Sequence, residues 1–191
     1  PVLNEDGPSP FDFHIDPQQL IYATSAMKFG GGTVEKDAAV LFQNKEGEYD
    51  FSSHSDKLAV RNKGGVPIKV IITGFVEQIR GTKLVSEKHF EGKNNDLYLA
   101  LEDDRGNEVP IEETQAVQME FVLDAFETYS FGLTGDCNTN WDWSGEEADI
   151  SVKIQWKLEE MVADEDKVAV KWDLTGTHDG DFMGIDRKSV V

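Results

Sequence analysis

The chain has 191 residues, of which 18 are Lys or Arg and 37 are Asp or Glu, giving a formal net charge of −19. Phosphate binding needs clustered cations, so this charge argues against a nucleic-acid partner and against contact with an anionic membrane surface. The length suits one domain with a sizeable core, and no apolar run approaches the roughly 20 residues of a membrane helix, so no membrane insertion is expected.

The first half of the chain shows a lead-in followed by strand-like segments. Residues 1–10, PVLNEDGPSP, contain three prolines and no periodicity, which predicts a flexible lead-in. FDFHID and AAVLFQN are weak strand candidates, and SDKLAVRNKGG places Leu58 and Val60 before a Gly-Gly turn. The next segment, VPIKVIITGFV, is rich in β-branched residues. The residues on its predicted inner face are Val66, Ile68, Val70 and Ile72.

The second half alternates more clearly between apolar and polar residues. This period of two is typical of half-buried antiparallel strands. The predicted inward residues are Leu97, Leu99 and Leu101 in DLYLALED; Val117, Met119, Phe121 and Leu123 in AVQMEFVLD; Ile150, Val152, Ile154, Trp156 and Leu158 in ADISVKIQWKLEE; and Val168, Val170, Trp172 and Leu174 in DKVAVKWDL.

Turn-forming residues separate these segments, at 62–65, 92–95, 103–107 and 135–140. We count eight to nine strands and no amphipathic helix longer than about ten residues. The prediction is an all-β protein: one antiparallel, jelly-roll-like β-sandwich over residues 11–176. Residues 177–191 lose the alternation and are predicted to be a C-terminal tail or an edge extension.

Four segments give the sequence a family resemblance: FDFHIDPQQL, LAVRNKGGVPIKVIITG, NDLYLALED and ISVKIQWKL. Together they resemble exported β-sandwich surface proteins of Gram-positive bacteria, namely camelysin-like and biofilm-matrix-fibre proteins and the WxL cell-wall-binding domains. The Trp-x-Leu motifs here are Trp156–Leu158 and Trp172–Leu174. Neighbouring core strands, each burying one Trp and one Leu, would produce the same motifs.

The resemblance implies a non-catalytic extracellular or cell-surface protein that acts through binding or assembly. Its partners would be other protein chains or cell-surface glycans, with residues 1–10 as a donor strand in self-assembly. Because the chain starts at Pro1, we expect that a signal peptide was removed from it.

The segment DCNTNWDWSGEE, residues 136–147, has the rhythm of a calcium loop. The candidate oxygen ligands are Asp136, Asn138, Asn140, Asp142 and Glu147, at places one, three, five, seven and twelve. Trp141 stands where such a loop needs glycine, and the flanking segments are strand-like rather than helical. The alternatives are a bound calcium ion, an ordinary polar connection between strands, and a ligand-facing loop; no other cofactor is expected.

The same segment could recognise carbohydrate, because aromatic rings stack on sugar faces while amides and carboxylates bind hydroxyls. The candidate contacts are Trp141, Trp143, Asn140 and Asp142. The alternative is that both tryptophans cover one end of the sandwich.

Signals for catalysis are weak. The four histidines are dispersed and no H-E-x-x-H motif occurs. In SSHSD, residues 52–56, neighbours on one short segment rarely assemble a catalytic triad. The only cysteine, Cys137, lies in an exposed-looking loop, and we interpret it as an unreactive small side chain. An enzyme is not expected.

Overall fold

The computed structural model describes residue 11 and residues 13–18, 38–44, 48–160 and 176–181. These residues form an all-β protein without a helix. The strands are β1 (Phe13–Ile15), β2 (Val40–Gln43), β3 (Tyr49–Asp50), β4 (Leu58–Arg61), β5 (Ile68–Arg80), β6 (Lys83–Leu84), β7 (Asp96–Asp103), β8 (Glu108–Pro110), β9 (Val117–Leu123), β10 (Thr128–Cys137), β11 (Asp149–Glu160) and β12 (Gly176–Asp181). The described part thus contains twelve strands rather than eight or nine; four of them, β1, β3, β6 and β8, have only two or three residues, too few to show alternation.

The strands form three sheets. Sheet A has the order β1-β2-β3, and sheet B has the order β4-β10-β7-β6 with β8 also beside β7. Sheet C has the order β12-β11-β5-β9. All pairings are antiparallel except that of β6 with β7. Most of the residues paired in sheets B and C belong to strands that are distant in sequence, namely β10 with β4 and β7, and β5 with β9 and β11, so the architecture depends on long-range pairing.

Sheets B and C pack face to face, which makes the fold sandwich-like. A Cβ at Gly74 of sheet C would lie 3.6 Å from the Leu101 side chain of sheet B. The rings of Phe131 in sheet B and Trp156 in sheet C have centroids 6.5 Å apart. Sheet A contributes to the same core, which includes Phe13 and Phe42 at 0% exposure.

The predicted alternation is confirmed in β9 and β11. In β11, Ile150, Val152, Ile154 and Trp156 are buried while the residues between them are half-buried. Strand β9 buries Val117, Met119 and Leu123, because burial on one face selects every second side chain. Strand β7 buries the predicted Leu97, Leu99 and Leu101, but its other face is buried as well.

The structure differs from the sequence prediction at Val66 and at the start of the turn predicted for residues 135–140, since residues 135–137 belong to β10. Val66 is 44% exposed and precedes β5, because its carbonyl accepts a hydrogen bond from Asn62 in the loop instead of joining the sheet. Gly135 belongs to β10 rather than to a turn. A Cβ there would lie 2.8 Å from Cγ1 of Val40, so glycine permits the close packing of sheet A on sheet B.

Several predicted features lie outside the described residues. These are the lead-in at residues 1–10, the inward residues of DKVAVKWDL with its Trp-x-Leu motif, and residues 182–191. Residues 176–181 form β12, which pairs with β11 and is the outermost strand of sheet C in the described part of the chain.

Candidate ligand-binding loop

The loop of residues 138–148 connects β10 of sheet B to β11 of sheet C, so it crosses one end of the sandwich. Its first residue, Asn138, is only 4% exposed. The Asn138 Nδ2 donates to the carbonyl of Gly92 at 3.1 Å and to Oδ1 of Asn94 at 2.7 Å, and its Oδ1 accepts from the backbone N of Asn140 at 2.9 Å. The loop is therefore joined to the turn that precedes β7.

Asn95 holds the middle of the loop. Its Oδ1 accepts from the backbone N of Asp142 at 2.7 Å, and its Nδ2 donates to the carbonyl of Asp142 at 3.2 Å and to that of Gly81 at 2.9 Å. One carboxamide thus satisfies both backbone groups of Asp142, as a neighbouring strand would. The sequence signalled Asn95 only as part of a turn.

Gly81, between β5 and β6, holds the last part of the loop. Its φ is +62°, and a Cβ there would lie 2.4 Å from the carbonyl oxygen of Glu147. The backbone of residues 146–147 therefore lies directly on Gly81. Two separate segments, Gly81 and the turn of residues 92–95, fix the loop conformation.

The two tryptophans have different environments. Trp141 is 6% exposed and belongs to the hydrophobic core, whereas Trp143 is 61% exposed. Their ring centroids are 6.4 Å apart with an interplanar angle of 48°. The rings are therefore not one flat platform: Trp141 covers the end of the sandwich, and of the two only Trp143 is accessible to a ligand. Because Trp141 is buried against the core and Trp143 is not, the two indole rings have different roles.

Charged and polar groups flank Trp143. Oδ1 of Asp142 lies 3.1 Å from Nζ of Lys93 and accepts a hydrogen bond from Oγ of Ser144 at 2.7 Å. Bonds from Ser144 and Lys93 lower the pKa of Asp142 to about 2, so this carboxylate is ionised at neutral pH. Asn140 is exposed and donates to the carbonyl of Gly92 at 3.1 Å.

The five candidate calcium ligands are only partly brought together. Asn138 and Asn140 are adjacent and hydrogen-bonded, Asp142 is paired with Lys93, and Glu147 is exposed. Asp136 lies within β10, where burial raises the pKa of its carboxyl. Among the described residues, no group of three or more His, Cys, Asp or Glu side chains converges as a metal site would require. Calcium binding by this loop stays a prediction.

A polar network on the outer face of sheet B was not predicted. Nδ1 of His54 lies 2.9 Å from Oε2 of Glu102, a side chain only 7% exposed, and Nζ of Lys57 lies 3.7 Å from the same oxygen. Alternation places Glu102 outward on β7, but segment 54–57 covers it. Ser52 Oγ bonds to the His54 backbone carbonyl at 3.1 Å. The network satisfies a buried carboxylate.

A second part of this network surrounds Tyr98. Its hydroxyl donates to Oε2 of Glu108 at 2.6 Å, while Nζ of Lys88 donates to Oε1 of Glu108 at 2.8 Å and lies 5.1 Å from the Tyr98 ring centroid. Burial acts to raise the pKa of Glu108, but the bonds from Lys88 and Tyr98 outweigh it and lower that pKa. Burial and the adjacent Glu108 raise the pKa of Tyr98, which stays a hydroxyl donor.

Cys137 is not in the loop, as its flanking residues had suggested, but is the last residue of β10 and is 1% exposed. Its Sγ lies 3.6 Å from the carbonyl of Ala39, and burial raises the pKa of the thiol. We expect native protein to react with dithionitrobenzoate at least about a hundredfold more slowly than urea-unfolded protein, because the thiolate is the reactive form. Equal rates in the two states would contradict this burial.

Comparison with known proteins finds no matching family model, no similar curated protein and no similar solved structure. Across the described ranges, no helix has the length and apolar character needed to cross a membrane.

Proposed function

We propose that this protein is a non-catalytic binding protein that recognises carbohydrate through Trp143. The observation that carries the proposal is an indole ring, 61% exposed, on a loop whose backbone is fixed from both sides. A large apolar ring in water gains free energy when another surface covers it. Because the loop is already ordered, binding would cost little conformational entropy.

The groups beside Trp143 suit a polyhydroxylated ligand. The ionised Asp142 accepts hydrogen bonds, and Lys93 and the exposed Asn140 can donate them. Such groups give orientation, while the ring provides the apolar contact. Should calcium bind to this loop, it would add a hard cation that also coordinates hydroxyl oxygens.

The wider setting is also part of the proposal. A jelly-roll-like arrangement of the sheets agrees with their long-range antiparallel pairing. Display at the surface of a Gram-positive cell is supported by the resemblance of segments such as VPIKVIITG and ISVKIQWKL to exported sandwich proteins. Assembly with other chains is the second candidate function, favoured by an edge strand of sheet C.

The test is retention on glycans. We expect the protein to bind selected carbohydrates on a glycan array and to be retarded in affinity gels that contain them. Trp143→Ala should weaken this retention at least about tenfold, because truncating a central aromatic contact costs about 2 kcal/mol or more. Both measurements are repeated with calcium and with a chelator.

The matched control is Phe126→Ala. Phe126 is also an exposed aromatic, at 65%, but lies in the β9–β10 connection, near the start rather than the end of β5. The Phe126→Ala variant should therefore be retained on carbohydrate as strongly as the unchanged protein. Equal losses in the two variants, or no retention on any carbohydrate, would count against the proposal.

A further inference from the structure

Strand β9 is an edge of sheet C. It pairs with β5 along its whole length, from Ile68 opposite Leu123 to Gly74 opposite Val117. In the strand order of that sheet, β9 is the last strand that the described part of the chain provides. Alternate residues of an edge strand turn their N–H and C=O groups away from the sheet. Within the described segments, the one hydrogen bond from outside β5 to the backbone of β9 is at its end, where the Leu123 carbonyl accepts from Nδ2 of Asn62 at 3.2 Å.

The edge is rigid and preformed. Three of its side chains, Val117, Met119 and Leu123, are anchored in the core. The ring of Phe121 stacks on Tyr129 of sheet B, with centroids 3.6 Å apart. An incoming strand would therefore pair with a backbone whose ordering entropy has already been lost on folding.

The usual protections of an edge strand are few here. Such strands are commonly blocked by Pro, Lys or a bulge. VQMEFVL contains neither Pro nor Lys, and its register with β5 is regular. The one charge, Glu120, has its Oε2 2.6 Å from Nζ of Lys69, and the adjacent outward residue Val122 is 50% exposed.

The negative charge around β9 determines which kind of polypeptide can bind to this edge. Residues 112–127 include five acidic side chains and no Lys or Arg. The acidic residues are Glu112, Glu113, Glu120, Asp124 and Glu127. A second copy of the chain would bring the same acidic edge and a net charge of −19. A strand rich in Lys or Arg would instead be attracted.

We infer that β9 is a docking edge for an extended, basic segment of a partner polypeptide, which adds a strand to sheet C. Main-chain hydrogen bonds provide the attachment, and the acidic rim provides the preference for cationic side chains. This inference is independent of carbohydrate binding, because β9 pairs with residues 68–74 of β5 whereas the Trp143 loop is held at Gly81, beyond the other end of that strand.

The test uses a capped, labelled peptide of about seven alternating Lys and Thr residues, long enough to span β9. We expect binding by fluorescence anisotropy, with amide resonances of residues 117–123 shifted in nitrogen–proton correlation spectra. Binding should weaken as salt is added. A Glu-Thr peptide and a peptide with proline at alternate positions should not bind.

Glu120→Lys is the matching variant, and Glu87→Lys is its control. Glu87 is exposed in the segment between β6 and β7, so the control makes the same charge change away from β9. We expect Glu120→Lys to weaken peptide binding at least about threefold and Glu87→Lys to change it less than twofold.

Three outcomes would overturn the inference. The first is unchanged resonances of residues 117–123 when peptide is added. The second is equal binding of the proline-containing peptide, which cannot form the ladder. The third is a concentration-dependent dimer joined through β9 in sedimentation, which would assign this edge to a second copy of the chain.

Discussion

Replacing Gly81 by alanine is expected to lower the free energy of unfolding by about 2–5 kcal/mol. Two costs add. A residue with a Cβ pays about 1–2 kcal/mol for a left-handed backbone such as the φ of +62° at Gly81. The new Cβ would also lie 2.4 Å from the Glu147 carbonyl oxygen, so backbone must move, at about 1–3 kcal/mol. Urea denaturation followed by tryptophan fluorescence measures the total.

Gly92→Ala separates these two costs. The φ of Gly92 is +70°, and a Cβ there would meet nothing within 4 Å. This control should therefore cost only about 1–2 kcal/mol, the backbone part alone. If both variants lose the same stability, the close approach of residues 146–147 to Gly81 is not maintained in solution. Gly81→Ala should in addition displace the Trp143 loop and weaken carbohydrate retention.

Replacing Asn62 by alanine is expected to cost about 3 kcal/mol, the second large effect. Asn62 is 3% exposed, and its Nδ2 donates to the carbonyls of Val66, Leu123 and Asp124 at 2.8, 3.2 and 3.1 Å. Its Oδ1 accepts from the backbone N of Gly64 at 2.9 Å. Removing the amide leaves several part-buried carbonyls without a donor, each at about 1 kcal/mol or more.

Two further variants sharpen this test in the same urea titrations. Asn107→Ala removes an exposed carboxamide whose Nδ2 donates one bond to Oδ2 of Asp103 at 2.7 Å, so it should cost about 1.5 kcal/mol, roughly half the cost of Asn62→Ala. Asn62→Asp keeps the acceptor for Gly64 but directs a carboxylate at carbonyl oxygens. It should be less stable than Asn62→Ala near neutral pH and regain stability as pH falls, because the protonated carboxyl can donate. A neutral effect of Asn62→Ala would contradict the described geometry.

The fold was predictable where one face of a strand is buried. In β11 and β9, apolar and polar side chains alternate because every second residue enters the core, and that regularity is readable without coordinates. The prediction of an inward strand position was wrong at Val66, whose residue type favours a strand but whose backbone is held in the 62–66 loop by Asn62. Alternation also places Glu102 outward without showing that His54 and Lys57 lie over it, so the buried carboxylate could not be predicted.

The candidate site was predictable only in part. The sequence located the loop and its two tryptophans, because consecutive polar residues between strands are a local feature. It could not separate Trp141 from Trp143, since both have the same residue type and similar neighbours. It missed Asn95 and Gly81, which lie far from the loop in sequence and meet it only after sheets B and C have formed.

By itself, then, the amino-acid order determined an acidic all-β chain, the inward faces of its long strands and the position of a polar, tryptophan-containing loop. These depend on hydropathy and residue type at short range. The tertiary structure alone decided which strands are neighbours, which indole ring is buried, and that β9 lies at the edge of its sheet. These depend on contacts between distant segments, which no local pattern encodes.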